Sequence, residues 1–383
     1  MKMVPWNQRG AVWLTFAVFS FVALWVAIFL PQYDVGEYHR YAVLAMTPPV
    51  FHHWPREYPA LSQFIFLLPL LFPFSYRFSF GILTILALAV LLNIGMKRHG
   101  FSWGMKLIGY LSLGAVGLFS QRYDIFVSLF GFLAIDRALQ RQWCWAWIFS
   151  VIGFLLKLFP AVFWPVFLIQ EWRETRRFRW DRLALSLLTA LVMIGFQVLT
   201  ASHQAFTSFR YLLARPVEIG SLAASLTALV GHPHLFGAFG SVNVRAHGLA
   251  HLIGDVLTAL GIVGWLSVFW AQWKGRMELV DAAIITLGIL LLTTKVFSAQ
   301  YLIWLAPLLA LKKGNMGFVL AYALTSLGYP VGYAVPGLFK WVIYIFTARN
   351  LLLTAAFAVF VWNRTRSSAS PLFTEGVKEG VDH

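Results

Sequence analysis

Charge is scarce in this sequence. Asp, Glu, Lys and Arg together make up 12% of its 383 residues, about half the share of an ordinary soluble domain. With 60% of the residues hydrophobic, so few ions exclude a water-soluble domain and leave an integral membrane protein. Acids are scarcer than bases: 15 Asp and Glu stand against 30 Lys and Arg, a formal charge of +15. In a soluble protein that excess would suggest nucleic acid. Here the cations sit in short loops between apolar runs, which the positive-inside rule explains, so no nucleic-acid partner is expected. Cysteine is almost missing. Cys144 stands alone, so no intrachain disulfide can form. There is no HExxH pair, no low-complexity tract and no inverted repeat.

What remains is a series of apolar runs. Residues 13–30 would form a helix about 27 Å long, enough to span the hydrocarbon. The run ends in WVAIFLPQ without a small-x-small cleavage pattern, so it reads as an uncleaved first span. Lys2 and Arg9 before it place the N-terminus in the cytoplasm, and residues 33–58 outside. The run 60–74 is broken by Pro69 and Pro73. If it spanned, every later basic cluster would fall outside, so it is expected to be interfacial or re-entrant. Further spans are expected near 78–96, 103–119, 125–139, 143–156, 159–169, 183–200, 251–273, 279–297, 302–311, 316–335 and 350–362.

The expected fold is therefore all-α, a polytopic helical membrane protein of about twelve helices with two long extracytoplasmic loops. Residues 1–365 form one membrane domain, and 366–383 a disordered cytoplasmic tail. Trp143, Trp145 and Trp147 suit an aromatic belt at the inner boundary. The second outer loop covers 201–250, with an apolar stretch at 221–230 that dips rather than spans.

On this topology Arg40, Arg56, Glu57, Arg122, Asp124, Lys157, Arg215, Glu218 and Lys295 gather near the outer ends of spans. Charges beside hydrocarbon are costly and tend to be kept for ion, proton or ligand work. The first polar stretch, YDVGEYHRYAVLAMTPPVFHHWPREYPAL at 33–61, sets Asp34 and Glu37 against the membrane surface. Asp34 and Glu37 also have capping-box spacing, with Asp34 as N-cap of a helix through Tyr38, Tyr41 and Ala45.

Five blocks in order carry a resemblance. They are Asp34…Tyr38…Tyr41 leading to Glu57-Tyr58-Pro59-Ala60-Leu61; Arg122-Tyr123-Asp124; Leu156-Lys157-Leu158-Phe159-Pro160; Arg215-Pro216-Val217-Glu218-Ile219-Gly220-Ser221; and Lys295-Val296-Phe297-Ser298-Ala299-Gln300-Tyr301-Leu302. Over roughly residues 13–362 the chain resembles the GT-C class of polytopic glycosyltransferases, most of all glycosyltransferase family eighty-seven, whose members use polyprenyl-phosphate mannose. It departs from that family at Ala60, where a second proline is usual, and at Glu218 and Gly220, where glutamine and glutamate are usual.

The resemblance implies transfer of a hexose, most simply mannose, from a polyprenyl-phosphate sugar donor to a glycolipid or glycan acceptor on the extracytoplasmic face of a cell membrane. The departing lipid phosphate is already a stable anion, so no strong general acid is needed. It implies Asp34 as the base, and Arg122 and Lys157 as cations for the donor phosphate, Arg as a fork and Lys as a point charge. Glu37, Tyr38, Glu57, Tyr58, Asp124, Arg215, Glu218, Lys295, Gln300 and Tyr301 are further substrate-binding candidates.

Blander readings stand beside these. Pro59 alone could shape the 57–59 turn, Lys157 could snorkel to the surface, and Asp124 could be a helix cap or the partner of Arg122. His247 and His251 share a helical face, with His232 and His234 nearby, but no cofactor or metal is expected from so incomplete a donor set. A flippase for a lipid-linked sugar and a non-catalytic family member are the alternative functions.

Overall fold

The structure is a computed structural model, and it describes residues 6–30, 33–201, 206–231, 233–245 and 248–368. Its helices are α1 (Trp6–Phe29), α2 (Tyr33–Met46), α3 (Ser62–Leu67), α4 (Tyr76–His99), α5 (Phe101–Gly114), α6 (Asp124–Leu139), α7 (Trp143–Leu156) and α8 (Phe163–Thr175). There follow α9 (Trp180–Ala201), α10 (Thr207–Ala214), α11 (Leu222–Val230), α12 (Leu249–Trp273), α13 (Leu279–Thr293), α14 (Leu302–Ala310), α15 (Met316–Ser326), the single turn α16 (Gly332–Ala334) and α17 (Val342–Ser368).

Five helical segments are long and apolar enough to cross a membrane: Gln8–Phe29, Tyr76–His99, Trp180–Ala201, Leu249–Trp273 and Phe339–Arg364. Their burial says what solvent they meet. In α9 and α12 only 17% of the apolar window is covered by protein, and Leu188, Leu191, Leu199, Leu260 and Leu266 stand exposed. Apolar faces left so open require lipid rather than water. At the centre the pattern inverts. Every residue of α14 is buried, as are most of α6 and α13. Close approach there depends on small residues, for a Cβ on Gly288 would run into Phe357 and one on Gly114 into Tyr322.

The two ends of the bundle differ. At the C-terminal end of α6, buried Asp136 holds Arg98 at 3.2 Å and His99 at 3.0 Å. Beside it in kind, Glu171 holds Arg182 at 2.6 Å, and Asp281 holds Lys312 at 2.8 Å. Each pair ties a cation from the loop-rich basic set to a helix terminus. The opposite end, at the N-terminus of α6, carries a cavity.

Several local expectations are corrected. The fold is mostly helical, in keeping with an all-α membrane protein, but carries one unforeseen hairpin: β1 (His234–Ala238) and β2 (Ser241–Arg245) run antiparallel, with His234 opposite Arg245 and Ala238 opposite Ser241. A five-residue strand leaves too short a pattern to register beside the apolar runs of residues 201–250. The run 60–74, which was not expected to span, gives only α3 and one 3₁₀ turn, Leu68–Leu71. That is roughly 15 Å of helix, half a bilayer core. The run 316–335 is interrupted, because Tyr329 is extended (φ −151°, ψ 126°) ahead of Pro330. The belt at 143–147 is also wrong in part. Trp143 and Trp147 lie on one helical face and are buried, and Trp145 alone is exposed.

Candidate functional site

The cavity has a volume of about 1230 Å³ and is walled by residues from widely separated parts of the chain. Part of its lining is apolar, with Val26 and Phe29 of α1, Leu290 and Leu291 of α13, and Phe346 of α17. Part is polar. It contains Asp34, Glu37, Glu57, Tyr58, Arg122, Lys157, Arg215, Glu218, Gln300 and Tyr301, ten of the residues singled out from sequence.

Asp34 lies in the first turn of α2 and pairs with the Arg122 guanidinium. It is not an N-cap, since α2 already begins at Tyr33 and the Asp34 carboxylate turns to Arg122. Arg122 Nη2 also donates to the Tyr329 hydroxyl at 3.3 Å, which the break at Tyr329 brings to the cavity. Glu37 is drawn aside by Arg40 on the same helix face.

Lys157 follows α7 and turns inward rather than snorkelling. Its Nζ donates to Asp124 Oδ1 at 2.7 Å and lies 5.0 Å from the ring centres of Tyr123, Tyr301 and Trp304. Asp124, 1% exposed, also accepts from the Trp304 indole N–H at 2.6 Å. Asp124 is therefore neither a cap nor the partner of Arg122. It sits behind the cavity wall and fixes Lys157 from below, a charge pair inside an aromatic cage.

The third polar group surrounds the hairpin. Glu218 N donates to the Lys295 carbonyl at 2.9 Å, and its carboxylate accepts from Ser298 Oγ at 2.8 and 3.0 Å. Ile219 N donates to Val242 O at 3.0 Å and Val244 N to Val217 O at 2.9 Å, so residues 217–219 run as a short third strand beside β2. Arg215 Nη2 donates to Ser241 Oγ at 3.0 Å. Glu57 lies within hydrogen-bonding reach of the Tyr211 hydroxyl, which donates to the Phe239 carbonyl at 2.8 Å. Loss of water around Glu57, aided by the nearby Asp34 charge, pushes its pKa above the usual carboxylate range against the opposing pull of Tyr211 and Arg215.

No family model, curated protein or solved structure matches the chain. The geometry therefore carries the functional reading.

Three expected site residues lie away from the cavity surface. Tyr38 is 1% exposed and stacked on Phe66 at 4.4 Å, so it supports the wall from behind. Asp124 supports Lys157, as above. Lys295 points to the outside of the bundle and pairs with Asp255 of α12 at 2.7 Å. Its neighbours Thr294 and Val296 reach the cavity while it does not. Among the described residues no group of three or more His, Cys, Asp or Glu is placed to hold a metal. His232 and His247 lie outside the described residues.

Sequence reasoning missed Arg349 and Asn350 of α17. Arg349 is wholly buried, lies 4.1 Å from the Phe297 ring centre and donates to the Gly220 carbonyl. Asn350 Nδ2 donates to the same carbonyl at 3.0 Å and to Ser225 Oγ at 2.8 Å. Starting the last span at residue 350 cut the arginine out of it, although an arginine inside an apolar run was itself a signal. Tyr211, Trp304, Ser298 and Tyr329 were missed as well, for their role depends on partners 28 to 207 residues away.

Proposed function

We propose that this chain is a membrane glycosyltransferase of GT-C type. It moves a hexose, most simply mannose, from a polyprenyl-phosphate donor to a glycolipid or glycan acceptor on the extracytoplasmic face of the cell membrane. The observation that carries the reading is one cavity lined both by apolar residues and by charged ones, Asp34, Arg122 and Lys157 among them. An amphiphile with an anionic head fits such a surface, and its prenyl chain would lie along Val26, Phe29 and Leu290.

In the proposed reaction Asp34 takes the proton of the acceptor hydroxyl. The acceptor oxygen forms a bond to the sugar anomeric carbon as the bond to the phosphate oxygen breaks, and the electron pair leaves on the phosphate. Arg122, with Lys157 behind it, stabilises the charge gathering there. Glu57, Tyr211 and Glu218 line the side nearest the hairpin, where the acceptor would bind. No metal is needed for this chemistry, because the leaving group is an anion of low basicity. In the proposed topology both termini are cytoplasmic and about twelve helical segments lie in the membrane.

The test is transfer by purified protein in lipid, with radiolabelled polyprenyl-phosphate mannose as donor and membrane glycolipid as acceptor. Wild type is expected to label the acceptor, and Asp34→Asn to lose about 10²–10⁴-fold in rate, the usual weight of a positioned base. Equal rates in the two proteins would remove Asp34 from the chemistry. Absence of transfer with any sugar donor, alongside movement of the lipid between leaflets, would replace the transferase by a transporter.

A further inference from the structure

We propose that Arg122 is the phosphate receptor of the cavity and that Asp34 is its built-in competitor. A phosphate-bearing lipid binds by displacing the Asp34 carboxylate from the guanidinium, and the displacement releases Asp34 to act as a base. The proposal rests on the phosphate-bearing donor of the preceding reading and adds how that donor is received.

The three cations of the cavity wall are not equally free. Lys157 is bound to Asp124, which is 1% exposed and already shared with Trp304. Drawing Lys157 away would leave a buried carboxylate without a counter-ion. Arg215 is fastened to the hairpin through Ser241. Arg122 differs because its partner can leave: Asp34 has a side chain 24% exposed, carried on the first turn of a helix at the rim. The guanidinium also has donors to spare. Its Nε has no hydrogen-bond partner, and its Nη2 makes only the 3.3 Å contact with Tyr329. A phosphate offers two oxygens to that fork where the carboxylate engages one nitrogen.

Charge balance leads to the same place. Three cationic side chains of the wall face four carboxylates, those of Asp34, Glu37, Glu57 and Glu218. Arg122 and Lys157 are each already in an ion pair, so an anion engages either of them only by displacing a carboxylate, whereas Arg215 is held by Ser241 and is in no ion pair. The pair also suppresses the chemistry assigned to Asp34. A carboxylate turned onto a guanidinium is not turned onto an acceptor hydroxyl. Phosphate binding removes that hold, so the base is released only when a donor is in place. Donor must therefore bind before the acceptor is deprotonated.

The experiment measures binding to the full-length protein in lipid nanodiscs, with farnesyl phosphate as probe and farnesol as its uncharged control. Asp34→Asn is expected to tighten farnesyl phosphate about tenfold and to leave farnesol unchanged. Arg122→Gln is expected to weaken farnesyl phosphate at least about tenfold. The double variant should match Arg122→Gln alone, since a competitor without a receptor has no effect. In wild type, farnesyl phosphate should also speed backbone hydrogen exchange in α2 beyond its first turn, whose N–H groups have no intrahelical acceptor, a readout that needs no variant to fold. Unchanged or weaker binding by Asp34→Asn would overturn the proposal. So would equal tightening in the double variant, or no change in exchange at α2. The two readings fail separately: loss of the transferase reading shows as absent sugar transfer with this exchange intact, and loss of the exchange shows as transfer without tightening.

Discussion

Asp34 and Asp124 show how two carboxylates of one site can differ in cost. Asp124 is enclosed and its partners, Lys157 and Trp304, are enclosed with it. Lys157→Met is therefore expected to lower stability by about 3–5 kcal/mol, the usual penalty for stranding one member of a buried pair. Arg122→Met should cost less than Lys157→Met, because Asp34 can turn to water. Denaturant unfolding in detergent compares the two, and equal losses would contradict the assignment. Glu57 gives a prediction in pH. Its folded pKa lies above the unfolded value of about 4.3. The folded state thus holds more protons than the unfolded state between those two values, and stability falls as pH rises through that window. Glu57→Gln should remove that part of the fall, which melting temperatures measured from acid to neutral pH would show. Sequence brought out Asp34, Glu57, Arg122 and Lys157 because charges are rare in an apolar chain. It offered Arg122 or a helix cap as a partner for Asp124 because both lie close in sequence, while Lys157 is near only in space.

At the scale of elements, the segment Arg215–Ser221 is held from three sides. Hairpin hydrogen bonds fix Ile219, Ser298 fixes Glu218, and Arg349 with Asn350 fixes Gly220. A Cβ at Gly220 would run into the carbonyl oxygen of Phe297, which cannot yield as a side-chain tip can. Gly220→Ala is thus expected to destabilise by about 1–3 kcal/mol and to displace Glu218 from its place in the cavity lining. A Gly220→Ala protein with wild-type melting and activity would show that this contact relaxes freely. Asn243 supports the hairpin turn by donating to Ala238 O at 2.9 Å and Ser241 O at 3.0 Å. Asn243→Ala should raise hydrogen exchange across β1 and β2 and cost about 1–3 kcal/mol, since those carbonyls lose a buried partner. The hairpin was illegible because its pattern is short and half polar. The long helices were legible because eighteen or more apolar residues have few other readings.

For the molecule as a whole, the acidic pairs of Asp136, Glu171 and Asp281 and the cavity charges lie at opposite ends of α6 and its neighbours. The proposed orientation puts the cavity outside the cell. With Cys144→Ser as background, Arg56→Cys should react with a membrane-impermeant maleimide on intact cells, and Arg177→Cys only after the cells are opened. Both positions are exposed. Labelling of both from one side would show that the alternation between residues 56 and 177 is wrong.

The sequence by itself determined the solvent. Few charges, long apolar runs and basic loops require a bilayer, and the positions of those runs set most helix boundaries within a few residues. It also marked the charges worth examining, since an ion beside hydrocarbon is retained only against a cost. Tertiary structure alone decided which of them share a cavity, which face away, as Lys295 does, and which stand behind the wall, as Tyr38 and Asp124 do. The physical reason is range. Hydrophobic periodicity is a local property of the chain, whereas the pairing of Asp34 with Arg122 or Lys157 with Asp124 exists only after helices distant in sequence have packed together.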